Sequence, residues 1–347
     1  MGLCANSKGI NLPVGGIAKD NKIIYTKSKL GPFAKAILKN SIFHEGNPDF
    51  NQIATTDEGL YSMKDDYGTS YYYRGAVENN YVKFAGFWWR IIRINGNGSI
   101  RIQYDGTKAH ANGENSSNRL ITYSTPIIFN KISTDNAYVG YMYGKTGSDN
   151  YATTHTNTNN STIKTILDEW YKTNIYDKNL DQYVADVIYC NDRSIKSGTG
   201  VGTTVTYYGA HGRLISNKTP QFKCPQKNDA FTVNDTKKGN GALTYPVGLI
   251  TADEIAAAGL LKGKANNKNY LYKSSRNRYW SLSPFYVYGS SAYLFIVETD
   301  GSLGSISSST SASYASNGFA PVISLNADIK VTGNGTATDP YIVVGAE

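Results

Sequence analysis

Histidines, cysteines and pairs of adjacent carboxylates are the side chains of this 347-residue chain that could do acid–base, redox or metal chemistry. His44, His110, His155 and His211 fall in separate polar stretches without metal-ligand spacing, and read as surface residues. Asp57-Glu58 and Asp65-Asp66 sit among turn residues, while Asp253-Glu254 belongs to a helix cap. Asn191-Asp192 and Asp65-Asp66 carry the hard oxygens that calcium takes; turn hydrogen bonding by the same side chains is the simpler account. The glycines of 198–202 are not followed by Lys-Ser/Thr, so no phosphate loop is formed there. No catalytic residue and no metal ligand is assigned.

Cys190 and Cys224 lie 34 positions apart. Joined, they would add about 3–4 kcal/mol in an oxidising compartment; left apart, they would be two buried thiols. Cys4, in a Gly-rich leader, is incidental to either case.

A second kind of chemistry is contact. Between the framework-like Trp280 to Pro284 and Pro321 to Leu325 lies a segment, 285–319, with ten Ser, four Tyr and three Phe in 35 residues. It has no Lys, Arg, His, Gln, Met or Trp. Tyr offers wide amphipathic area with few rotors, and Ser and Gly offer adaptable hydrogen bonding, so the segment reads as a displayed binding surface. A Ser-rich loop without a partner has the same composition.

The elements that must hold such a surface are β-rich. With 28 Tyr, 34 Gly and few long apolar helical patterns, the chain is expected to be turn-rich and globular. Its net charge of +8 is scattered and no basic stripe meets aromatics, which excludes nucleic acid as a partner. No apolar run is long enough to span a membrane, and the first residues lack a signal-peptide core. The chain is expected to be cytosolic or to have lost an export or anchoring segment.

Residues 1–30 read as a loose arm, and Pro32 opens a short helix, PFAKAILKN. Strands are expected at 71–74 and 81–84. A hairpin joins 87–94 to 99–104 across Asn95-Gly96-Asn97-Gly98; its tryptophans read as core rather than sugar-stacking platforms. Ile163, Ile166, Leu167, Trp170 and Tyr171 form a helical stripe capped by Asn160 or Ser161. A second stripe runs through Leu180, Tyr183, Val184, Val187 and Ile188. Residues 243–250 read as a buried strand. Thr251 to Glu254 is a capping box for a helix that Gly259 ends.

Several stretches together resemble a known family. They are TTDEGLYSMKDDYGTSYYYRGAVENNYVKFAGFWWRIIRINGNGSIRI (55–102), YCNDRS (189–194), FKCP (222–225), GNGALTYPVGLITADE (239–254), YWSLSP (279–284) and GFAPVISL (318–325). From about residue 34 onward the chain is similar to variable proteins of diversity-generating retroelements from gut Firmicutes and their phages. The resemblance implies an α+β, C-type-lectin-like fold, related to the formylglycine-generating-enzyme scaffold, with mixed and antiparallel sheets, two or three short helices and long loops. It divides the chain into an N-terminal extension with a short helix (1–54) and a ligand-binding domain (55–347) with variable segment 285–319.

Such retroelements mutate adenines in AAC-rich codons, which leaves Lys, Glu, Gln, Met and Trp unreachable. All but Glu are absent from 285–319, Glu298 being the exception. The implied contact residues are Phe285, Tyr286, Tyr288, Ser290, Ser291, Tyr293, Ile296, Glu298, Ser307, Ser308, Ser309, Ser311, Ser313 and Tyr314. The family usually has Arg where this chain has Ala320, and many members carry a pilin-like membrane helix that this chain lacks. The formylglycine-generating enzymes bind copper through a late cysteine pair; no cysteine follows Cys224, so the scaffold is read as non-catalytic. The expected protein displays a hypervariable surface, extracellularly or on a cell or virion, to a protein or glycan ligand, with no cofactor unless calcium. The rival readings are a lectin or adhesin of fixed specificity, using calcium or aromatic stacking, a metal-dependent or oxidative enzyme on the same scaffold, and a pilus-associated structural subunit.

Overall fold

A computed structural model describes residues 30–125, 127–310 and 317–346, together with the backbone of two short paired strands, Ala18–Lys19 and Lys22–Ile23. The remainder of the expected N-terminal arm, Cys4 included, lies outside the described residues. The architecture is α+β, dominated by two sheets with a few short helices. No described helix is long and apolar enough to cross a membrane.

The first element is α1 (Pro32–Asn40), with proline in its first turn where a missing N–H costs nothing. Its apolar face, Phe33, Ala34 and Ile37, is fully buried. Phe33 meets Tyr341 edge-on at 5.2 Å, which brings the helix against the C-terminal strand. The first sheet then forms from β1 (Asp57–Lys64), β2 (Thr69–Gly75), β3 (Tyr81–Phe84), β4 (Phe87–Ile94) and β5 (Ile100–Tyr104). β4 and β5 are the hairpin joined by Asn-Gly-Asn-Gly, with Ile94 opposite Ile100. The stripe at 163–171 folds as α2 (Thr162–Asn174), capped by the Ser161 hydroxyl. Trp170 of α2 packs against Trp89 at 6.0 Å and Tyr104 at 6.2 Å. Trp89 and Trp280 are fully buried and donate their indole N–H groups to the carbonyls of Phe84 and Ile127, so they are core, whereas Trp88 of the same hairpin is only half-buried, edge-on to Tyr81 at 6.3 Å.

The second sheet comprises β6 (Ile195–Ser197), β7 (Thr206–Tyr208), β8 (Arg278–Tyr288), β9 (Ser291–Val297) and β10 (Leu303–Ser307) in that order. All these neighbours are antiparallel; β11 (Asn317–Gly318) adds a parallel pairing to β8. The chain then returns to the first sheet through β12 (Val322–Leu325), beside β5, and through β13 (Val331–Thr332), an edge strand that pairs with β14 (Tyr341–Val343), which lies beside β3.

Between the sheets sits α3 (Ala252–Ala257), opened by the capping box: Glu254 N–H donates to the Thr251 hydroxyl at 3.1 Å, and Thr251 N–H to the Glu254 carboxylate at 3.0 Å. Glu254 also takes Arg93 of β4 at 2.8 Å and Arg101 of β5 at 2.6 Å. Burial alone would raise its pKa, but the two guanidiniums outweigh burial and hold the carboxylate below its usual range. Asp253 pairs with Arg213, which also reaches Asp192.

Three expectations change. The stripe from Leu180 to Ile188 is not a helix: only Asp181–Tyr183 forms a helical turn, and Val184 and Ala185 run extended beside β12. Residues 243–250 are largely buried but make no strand, since Pro246 lacks a donor and only Gly248 pairs, with Val322. His110 and His155 are buried rather than at the surface. His155 Nε2 donates to the Gly200 carbonyl at 2.8 Å, and His110 Nδ1 lies 2.7 Å from Glu114.

Cys190 and Cys224 are joined as a disulfide, with Cα atoms 5.6 Å apart. Reducing it, or replacing both cysteines by Ala, should lower unfolding stability by about 3–4 kcal/mol in urea titration. A second prediction concerns pH. Burial, reinforced by Arg193, lowers His155 from 6.5 to about 3, so between those values the unfolded chain takes up a proton that the folded chain refuses. The stability present above pH 6.5 should be lost as pH falls, by up to about 1.4 kcal/mol per pH unit. His155→Gln should flatten that slope, whatever its effect on stability at neutral pH.

Candidate functional site

β8 and β9 are consecutive strands of one hairpin, and their register decides which side chains share a face. Tyr286 lies opposite Tyr293, Tyr288 opposite Ser291, and Tyr293 opposite Ser307 of β10. On the other side Tyr286 lies opposite Tyr207 of β7. Directly paired residues project to the same side of a sheet, so these form one row across four strands. Tyr286 is its centre, with ring centroids 4.8 Å from Tyr293, 5.7 Å from Tyr207 and 6.2 Å from Tyr288. Tyr288 is 58% exposed, while Tyr286 and Tyr293 are half-buried by one another and by their neighbours.

Phe285 joins the same face although it directly precedes Tyr286 in sequence. The β8–β9 register shifts around Pro284, which has no N–H to give the ladder, and the irregularity brings the rings of Phe285 and Tyr286 within 4.5 Å. Phe285 is buried beneath the row, edge-on to Phe295 at 4.7 Å and beside His211 at 4.8 Å. Lys262 places its ammonium 5.5 Å from the Phe285 ring.

The other expected contact residues are divided. Ser290 is exposed at the hairpin tip, and Ser309 bonds the Ser133 hydroxyl at 3.0 Å. Ile296 is a correction: it lies opposite Trp280 on the inner side and is 0% exposed, so it packs the core rather than meeting a ligand. Ser308 is a second. It is fully buried, its N–H donates to Ala292, its carbonyl accepts from Phe129 and Asn130, and its hydroxyl donates to Ile132. Glu298 follows the far end of β9, away from Tyr288, and pairs with Arg278 at 2.8 Å. Ser311, Ser313 and Tyr314 lie outside the described residues.

Three contributors come from outside the segment and were not placed at this surface from sequence: Tyr207, His211 and Lys262. The β-branched and aromatic run Thr203 to Tyr208 carried a strand signal for the first. His211 and Lys262 follow from tertiary packing alone.

Burial lowers the His211 pKa, as do Lys196 and Lys262, and burial also raises the Tyr286 phenol, with Tyr293 adding to it. The face offers rings, hydroxyls, one imidazole and, beside Phe285, the Lys262 ammonium. Its chemistry is stacking and hydrogen bonding. The oxygens expected for calcium are engaged elsewhere: Asp65 pairs with Arg93 and caps the Tyr67–Gly68 turn, and Asp192 pairs with Arg213. Asn191 bonds Tyr141, Val139 and Leu282. Among the described residues no group of three or more His, Cys, Asp or Glu could hold a metal ion.

Searches against protein-family models, curated proteins and solved structures return no match. The face must therefore be read from its own geometry.

The two faces of the β8–β9 hairpin should differ in their response to truncation. Ile296→Ala should cost about 2–5 kcal/mol in denaturant unfolding. Tyr288→Ala and Ser291→Ala should stay within about 0.5 kcal/mol.

Proposed function

We propose that this chain is a non-catalytic, receptor-like binding protein whose ligand-binding surface is the outer face of β7–β10, the diversified target of a retroelement. The observation that carries this reading is the row Tyr207–Tyr286–Tyr293 with Tyr288 beside it, flanked by Ser291 and Ser307. Rigid aromatic anchors surrounded by small adaptable hydroxyls are how a single scaffold meets many partners. The framework strands fix the backbone, so exposed side chains can change without refolding.

The motif resemblance extends the reading to a C-type-lectin-like fold and to display outside the cell or on a virion, with a protein or glycan as ligand. The disulfide is compatible with an oxidising compartment. Any membrane attachment would come through a pilin-like anchor outside this sequence, and calcium has no role in the proposed contact.

The genomic locus is the decisive test. A neighbouring reverse-transcriptase gene and a near-copy of the segment encoding 285–319, differing at adenines, are expected. Substitutions among isolates should fall on codons for Tyr286, Tyr288, Ser291, Tyr293 and Ser307 and spare Leu294 and Trp280. A locus with neither gene nor near-copy overturns the diversification. Chelator-sensitive binding to a glycan array would instead favour a lectin of fixed specificity. For any ligand so identified, Tyr288→Ala or Tyr293→Ala should weaken binding by about tenfold or more without a comparable loss of stability.

A further inference from the structure

A cleft of about 270 Å³ opens where the end of α2 meets the loop around Tyr245, built wholly from residues outside 285–319. Three tyrosines form part of its wall. Tyr171 and Tyr245 lie nearly parallel with centroids 5.3 Å apart and 28° between planes, and Tyr176 tilts by 54° against Tyr245 at 5.5 Å. Asp181 and Asp186 also line the cleft, and no lining residue is basic. Asp186 is fixed by the backbone N–H groups of Val233, Asn234 and Asp235 at 2.8, 2.7 and 3.0 Å. The neighbouring cation, Lys172, is held by both oxygens of Asp177 at 2.8 Å.

One polar group there is left unsatisfied. Tyr171 is fully buried, and its hydroxyl bonds none of the described residues. A buried hydroxyl without a partner is destabilising unless something entering the cleft pairs with it. Burial raises the phenol pKa, so the group stays a neutral donor. Half-exposed Tyr176 shows that the aromatic wall is accessible.

The geometry points to a second binding site in this cleft, for a small organic ammonium compound bearing a hydroxyl or similar polar substituent. Aromatic faces attract a weakly hydrated cation through their quadrupoles, the two carboxylates supply opposite charge, and a polar substituent meets the Tyr171 hydroxyl. An anionic ligand would meet Asp181 and Asp186 without a compensating cation. This inference is independent of the aromatic face on β7–β10.

The test titrates the purified chain with choline, and in parallel with its neutral isostere 3,3-dimethyl-1-butanol and a panel of methyl glycosides, by calorimetry and ligand-observed NMR. Choline should bind saturably, and the isostere about tenfold more weakly. Tyr176→Ala and Asp181→Asn change exposed side chains and should weaken choline binding about five- to tenfold, with melting curves unchanged. Tyr288→Ala should leave it as it is. Absence of saturable choline binding, equal binding of the isostere, preference for a glycoside, or loss on Tyr288→Ala but not Tyr176→Ala would each overturn the assignment.

Discussion

The carboxylate of Glu254 is the joint on which both sheets depend. It sits in a six-residue helix, far too short to persist alone. It is held by Arg93 and Arg101 from adjacent strands of the first sheet, while the same turn receives the Ser283 hydroxyl of β8, which accepts from Ala252 N–H. Asp253, the preceding residue, engages Arg213, a few positions beyond β7. One helical turn thus fastens strands of the first sheet through charge-assisted bonds and reaches the second through the Ser283 hydroxyl and, just past β7, Arg213. Removing one partner of such a buried pair costs about 3–5 kcal/mol because the other charge is stranded. The pairs are not extra stability added to a finished fold; they determine how the layers meet.

The aromatic face is held from beneath. Its inner side, Val287, Ala292, Leu294 and Ile296, is fully buried, so the strands beneath the tyrosines cannot slip without exposing core. On the outer side only the Ser291 and Tyr293 end is partly open, while Phe295 and Val297 farther along the strand are buried. That asymmetry separates positions that hold the structure from positions free to serve contact, and it does so within seven residues of a single strand.

How much of this was legible in sequence follows from what each signal measures. The β4–β5 hairpin, α1, α2 and the capping box were readable because turn chemistry and period are local. Arg101 stands between Ile100 and Ile102 on the opposite side of the strand, yet it is buried, because its partner Glu254 lies 153 positions away. The histidines misled for the same reason: His155 is covered by Gly200 and Tyr151, which polarity could not announce. Within the segment, Tyr286, Tyr288 and Tyr293 share a face as a contact surface requires. Ile296 and Ser308 do not, because composition has no register. The irregularity at Pro284, which moves Phe285 beneath Tyr286, is likewise visible only in the paired strands.

The tip of the β8–β9 hairpin imposes a limit of another kind. Gly289 and Ser290 both have positive φ, 55° and 57°, the mirror-image turn that suits the twist of two paired strands. Glycine occupies that region freely, and asparagine and aspartate enter it far more readily than branched side chains do. Whatever selects the residue at 290 must therefore choose from a short alphabet fixed by torsion angles, before any partner is met. The most prominent point of the surface is also the one whose vocabulary the main chain restricts most.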